Sequence, residues 1–224
     1  MRRFVRENSL SIFFGLLFLG ALTGQAIAGH AAYNQEQLAH GEPAVSLGRY
    51  VTSSDFGRAV LENWQSEYLQ FMLFMLATVW LLQRGSPESK SLDEPGLESE
   101  RDQRIGRYAL RSSPAWARTG GIRTAVYSNS LLVLMAVIFL GSWFGQSVTG
   151  WTEYNEMQRA HHEATVSWSG YIGTADFWES TLQNWQSEFL AVGSFAVFAI
   201  FLRQRGSPES KPVGLPHEAT GAEG

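Results

Sequence analysis

The stretch LSIFFGLLFLGALTGQAIA at residues 10–28 returns at residues 131–149 as LLVLMAVIFLGSWFGQSVT, and neither carries a charge. A helix needs about 20 mainly apolar residues to cross ~30 Å of hydrocarbon. Both stretches meet that length. The offset between them, 121 residues, holds well beyond the two apolar runs. Residues 8–90 align with 129–211 without a gap, and about 37 of the 83 pairs are identical. The chain therefore reads as a tandem duplication of one helix–loop–helix unit, a period far too long for a solenoid array.

Each copy holds a second apolar run, at 68–82 and at 189–202. These cores are short for a span. They reach full length when the helix begins upstream at Trp64 and Trp185, because Trp is favoured at the headgroup level and a short span is met by local thinning of the bilayer. The expected fold is an all-α membrane protein of four transmembrane helices, arranged as two tandem parallel helix-loop-helix repeats. Its parts are a first hairpin at 8–90, a linker at 91–128, a second hairpin at 129–211 and a disordered tail at 212–224. One competing reading exists for the first run. Arg2, Arg3 and Arg6 precede it and Ala26-Ile27-Ala28 closes it, which is also the layout of a cleaved signal peptide. The mid-chain twin at 131–149 cannot be one, and this favours a retained helix.

Composition excludes other classes. Among 224 residues there are 17 Lys plus Arg and 21 Asp plus Glu, a net charge of −4. That is no footprint for nucleic acid, which calls for a clustered positive surface. The chain has no Cys, which removes disulfides, thiolate metal sites, iron–sulfur clusters and thiol redox chemistry. No His falls inside an apolar run, so paired-imidazole haem within the bilayer is disfavoured. Phosphate-cradling glycine loops and a Gly-x-Ser-x-Gly elbow are absent. No nucleophile–base pair stands out, and the expectation is a non-enzymatic protein without a cofactor.

The distribution of Lys and Arg predicts orientation. Fourteen lie before the first run, between the second and third, or after the fourth. Only Arg49, Arg58 and Arg159 lie in the two remaining loops. Both termini and the linker are thus expected in the cytoplasm, with two acidic loops outside, and the repeats are related by an approximate two-fold axis along the membrane normal. A short surface helix is expected over 98–110, and short extended segments over 45–51 and 166–172.

Four motifs recur in both copies. Gly20, Gly24 and Ala28, matched by Gly141, Gly145 and Thr149, are spaced four apart. Such a face lets helix backbones approach closely, either between the first and third spans or between subunits. The second motif is NWQSE, at 63–67 and 184–188. It places Asn63 with Glu67, and Asn184 with Glu188, on one helix face near the membrane boundary. An ionisable group at membrane depth is costly and faces protein or water. Glu67 and Glu188 therefore read either as an ion or proton site near the axis or as headgroup-depth carboxylates bonded to nearby loops. Upstream, Asp55 and Asp176 suit the first turn of a helix.

The third motif lies in the outer loops. Tyr33-Asn34, Gln37, His40 and Glu42 recur as Tyr154-Asn155, Gln158, His161 and Glu163. This reads as one polar face of a short helix, forming either a hydrogen-bonded seam or, with His162 added, a metal site of no established spacing. The fourth is RGSPESK, at 84–90 and 205–211. Gly85 and Gly206 fit a helix C-cap with Pro beyond it, and Arg84 and Arg205 suit the helix dipole and anionic headgroups. The motif thus reads as a helix stop and anchor.

The paired NWQSE and RGSPESK motifs, with FLG and GQ at 18–25 and 139–146, resemble a family of uncharacterised bacterial integral membrane proteins catalogued as a domain of unknown function. The resemblance implies a four-span protein of the inner membrane and carries no activity. The expected partners are the lipid bilayer and either a second copy or another membrane protein. The expected role is structural or accessory, with the outer polar layer serving association or sensing. The alternative is a small transporter or channel using Glu67 and Glu188, with His40 and His161 lining its path.

Overall fold

The computed structural model describes residues 2–221, and among them every regular element is helical. In chain order these are α1 (Arg2–Glu7), α2 (Ser9–Ala39), α3 (Leu47–Tyr50), α4 (Ser54–Trp80), a 3-10 turn at Gly106–Tyr108, α5 (Ala115–Thr119), α6 (Gly121–Ser128), α7 (Ser130–Ala160), α8 (Trp168–Ile172) and α9 (Ala175–Phe201). Two helices, α2 and α7, are long and apolar enough to cross a membrane, each with 31 residues and a best-window mean hydropathy of 1.9. Helices α4 and α9 have 27 residues each, with polar first thirds. They do not meet the same criterion.

The two long apolar helices start alike. Asn8 breaks α1 from α2 by donating from Nδ2 to Phe4 O at 2.8 Å, and Asn129 breaks α6 from α7 with the same bond to Ala125 O, also 2.8 Å. The starts of α4 and α9 match as well. Ser53 and Thr174 each accept from the backbone N–H three residues on, at 3.3 Å, the usual N-cap device.

Contacts divide the chain into two units, Met1–Leu61 with Gly145–Gly173, and Glu62–Phe144 with Thr174–Gly224. The first unit holds α2, both outer loops and the neighbouring parts of α4 and α7. Its order comes from a clamp made twice. Asn34 Nδ2 donates to Val45 O (3.0 Å) and Val45 N–H donates to Asn34 Oδ1 (2.8 Å). Asn155 and Val166 repeat this at 2.9 and 2.8 Å. The same carbonyls accept a second bond, from His30 Nε2 at 2.7 Å and from Trp151 Nε1 at 2.8 Å.

Where extended segments were expected, at 45–51 and 166–172, the chain instead turns into α3 and α8. Ser46 and Ser167 cap them by accepting from Arg49 N–H and Gly170 N–H, so a helical turn forms despite the β-branched residues. Tyr50 and Tyr171 then lie buried under the loops, with their hydroxyls against Gly29 and Gly150, where a Cβ would collide.

The loop turns themselves differ. Gly41 has φ +80 and the equivalent residue, His162, has φ +58. The backbone there is left-handed in both copies, which costs an L side chain roughly 1–2 kcal/mol. We expect His162→Gly to raise unfolding stability by about 1 kcal/mol, measured as chemical denaturation in detergent. An unchanged or lower stability would contradict the strain.

The second unit is built around aromatic rings. Trp143 stacks on Phe139 (5.7 Å between centroids) and lies near Trp185 (5.7 Å) and Trp178 (6.2 Å). The RGSPESK loops follow α4 and α9 and fold alike. Ser89 and Ser210 accept from Gln83 and Gln204 N–H at 3.0 and 2.9 Å. Gly85 and Gly206 have φ +83 and +85 but are turn residues rather than C-caps, because α4 and α9 end five residues earlier.

Three expectations change in this unit. The segment 98–110 is turn and 3-10 structure rather than a surface helix; the helical part of the linker is α5 and α6. Lys211 is buried rather than anchored at a surface, donating from Nζ to Gly85 O (2.5 Å), His217 O (2.9 Å) and Ala219 O (3.1 Å). The tail, expected to be disordered, is held through residue 221, since Gly85 N–H bonds Thr220 Oγ1 and Gly221 N–H bonds Ser86 O. A polar segment can be ordered when a buried ammonium gathers its carbonyls. Residues 222–224 lie outside the described residues.

Candidate functional site

The polar residues of the third motif sit on continuations of the two long helices, not on separate short ones. Tyr33, Asn34 and Gln37 occupy the last turns of α2, and His40 is its C-cap residue, with its ring Nδ1 3.0 Å from Glu36 O. The corresponding turns of α7 carry Glu153, Glu156 and Met157, and His161 follows the helix. These ends, with Asp55 from the first turn of α4, surround an open cleft of about 390 Å³. His40, Glu42 and His161 all line it. Glu163 does not; its backbone N–H closes the turn by bonding Gln158 O at 2.7 Å.

The cleft is strongly acidic. Glu36, Glu42, Asp55, Glu153 and Glu156 face it, and Arg58 lies 3.4 Å from Glu153. Burial pushes the Asp55 carboxyl above its ordinary value, and Glu36 adds to the push. Its own backbone amide, Ser54 and Arg58 counter it in part. Among the described residues, no group of three or more His, Asp or Glu is arranged to hold a metal ion. The cleft presents spread carboxylates to water.

The shift at Asp55 has a consequence for stability. The folded chain retains the Asp55 proton at a pH where the unfolded chain, with an Asp pKa of about 3.9, has released it. Stability therefore falls as pH rises through that window and recovers on acidification. We expect the thermal midpoint in detergent to rise as pH drops from about 7 toward 4, and Asp55→Asn to flatten this slope. An equal slope in the variant would remove Asp55 as its source.

The NWQSE motifs lie in the other unit, and they are used differently from the sequence reading. Asn63 and Glu67 are exposed, while Gln65 and Ser66 are buried. Gln65 Oε1 accepts from Trp185 Nε1 at 2.7 Å, joining the first motif to the second. Asn184 turns back to its own helix, donating to Ser180 O at 2.8 Å. Glu188 is half-buried, within electrostatic range of Glu67 and in reach of the Ser66 hydroxyl. The helical period marked Asn63 and Glu67 as sharing a face. It could not show that the neighbouring Gln65 and Ser66 face inward. Of the glycine stripe, Gly145 meets Leu61, whereas Gly20, Gly24 and Gly141 have open space where a Cβ would stand.

Fold and site together define an all-helical protein with two helices that can span a membrane and a polar, acidic cleft beside their ends. The chain belongs to the family described as a domain of unknown function, DUF6766, which it matches over residues 1–222. No curated protein and no solved structure matches it.

Proposed function

We propose that the chain is a non-enzymatic integral membrane protein in which α2, α4, α7 and α9 all cross the bilayer as two parallel hairpins, 8–90 and 129–211. The termini and the linker 91–128 face the cytoplasm of a bacterial cell, and the outer polar layer serves association or sensing. One observation carries this reading. The apolar window of α2 has mean hydropathy 1.9 and no residue of it is buried. A contiguous apolar surface of that length needs a nonaqueous cover, and a helix satisfies its own backbone in lipid. Fractionation tests it. The protein is expected to stay with membranes through alkaline carbonate and to leave them only in detergent. Recovery in the aqueous fraction would overturn the reading.

The proximity of Glu188 to Glu67 supports a second reading, in which the pair lines an ion path. It predicts cation flux in proteoliposomes that is lost in Glu67→Gln plus Glu188→Gln. Absence of flux in wild-type vesicles would remove it.

A further inference from the structure

We infer that the crevice between α4 and α9 binds a small lipophilic organic cation. Such a site can form whichever helices cross the bilayer.

The crevice lies wholly within the second unit and has a volume of about 330 Å³. Its lining comes in twins, each residue accompanied by the one 121 positions away. Phe74 lies with Phe195, Phe71 with Val192 and Gln70 with Ala191. It is therefore a place where the two copies meet, not a dent in one of them. The walls are unequal, and this accounts for the space. Helix α9 presents Ala191 and Val192 where α4 presents the larger Gln70 and Phe71. Phe71 and Phe195 stay 53% and 44% exposed beside it.

The fourth twin pair supplies charge. Glu88 and Glu209, from the two RGSPESK loops, line the same crevice. Both loops fold alike to place them. Glu88 N–H donates to Ser86 Oγ and Glu209 N–H to Ser207 Oγ, each at 3.2 Å. A helix stop uses the Gly and Pro of this motif and has no need of a carboxylate. The lysines of the motif are committed elsewhere. Lys90 pairs with Glu98 and donates to Gly96 O at 2.6 Å, and Lys211 holds the carbonyls of the tail. Among the described residues, the lining includes two carboxylates and no basic side chain.

Chemistry narrows the occupant. Both carboxylates would repel an anion, and a neutral apolar molecule would strip them of water without compensation. A bare metal ion calls for a shell of oxygen ligands that apolar walls do not give. An organic cation satisfies both halves. Its charge answers Glu88 and Glu209, and its body covers the phenyl rings, whose faces attract cations. Small-molecule sites run from about 300 to 1,000 Å³, so a crevice at the lower end suits a compact aromatic cation.

Ethidium, a planar aromatic cation whose emission rises in apolar surroundings, is the probe. It is titrated into the purified full chain in a neutral detergent. Saturable binding to the wild type is expected. Glu88→Gln plus Glu209→Gln should weaken it about tenfold, the loss that follows from removing a charged partner. Ala191→Trp should weaken it to a similar degree, because it fills the crevice and leaves both carboxylates in place. Absence of saturable binding to the wild type overturns the inference, as does equal affinity in either variant. Photolabelling of the unmodified chain with ethidium monoazide covers the case in which a variant does not fold. Adducts mapped to residues 70–74 and 191–195 support the inference. Adducts confined to the acidic cleft, at Glu36, Asp55 or Glu156, contradict it.

Discussion

Tyr171→Ala is expected to cost about 3–5 kcal/mol, the range for emptying a buried aromatic site. The side chain is fully buried, its ring lies 5.5 Å from that of Tyr154, and its hydroxyl rests against Gly150. Removing it leaves a void between α8 and α7 that the short, capped α8 cannot close by moving inward, because the Val166 clamp fixes the chain just before it. The loss should appear as a lower midpoint in detergent denaturation. Tyr171→Phe should cost far less, since it keeps the ring. A Tyr171→Ala variant as stable as wild type would mean the outer loop is not packed as described.

Asn155→Ala is the second large effect, at about 2–4 kcal/mol. Asn155 is buried and closes two hydrogen bonds with Val166, one as donor and one as acceptor. Alanine leaves both backbone groups short of a partner in a part-buried place. Each unmade bond of that kind costs roughly 1–3 kcal/mol, and Trp151 Nε1 still serves the carbonyl, which holds the total below the sum. Asn155→Asp separates the two bonds. It keeps the acceptor for Val166 N–H, loses the donor and sets a carboxylate against the Val166 carbonyl, so it should be no better than alanine. Hydrogen exchange at the Val166 amide reads this locally. Unchanged protection in Asn155→Ala would show that the clamp is not what orders the loop.

Both predictions concern residues whose twins are Tyr50 on α3 and Asn34 on α2, and the twins show what the sequence could disclose. Recurrence at a fixed offset marked Tyr33-Asn34, His40 and Glu42 as important without saying how. The pattern of polar residues three apart suggested a separate short helix. In fact α2 and α7 run on unbroken to Ala39 and Ala160, because nothing in either stretch breaks a helix before the left-handed turns at Gly41 and His162. The extended reading of 45–51 and 166–172 missed Ser46 and Ser167, whose caps turn the chain into α3 and α8.

The starts of α4 and α9 near Asp55 and Asp176 were legible because an acidic residue in the first turn is a local signal. Long-range partners were not. Nothing in NWQSE shows that Gln65 meets Trp185, since that contact joins residues 120 apart. Nothing in RGSPESK shows that Lys211 draws the tail over the first loop. The divergence between copies was also hidden. Glu163 matches Glu42 in sequence, yet only Glu42 lines the cleft.

The central claim is that both copies cross the bilayer in the same direction, each as a full hairpin. Single cysteines placed in the cysteine-free chain test it most directly. Glu42→Cys, Glu98→Cys and Glu163→Cys are probed with a membrane-impermeant maleimide in intact spheroplasts and again after lysis. Labelling of positions 42 and 163 in intact spheroplasts, with position 98 labelled only after lysis, is the predicted result. Labelling of 98 together with 42 from outside, with 163 protected, would mean that only α2 and α7 cross, and would contradict the account.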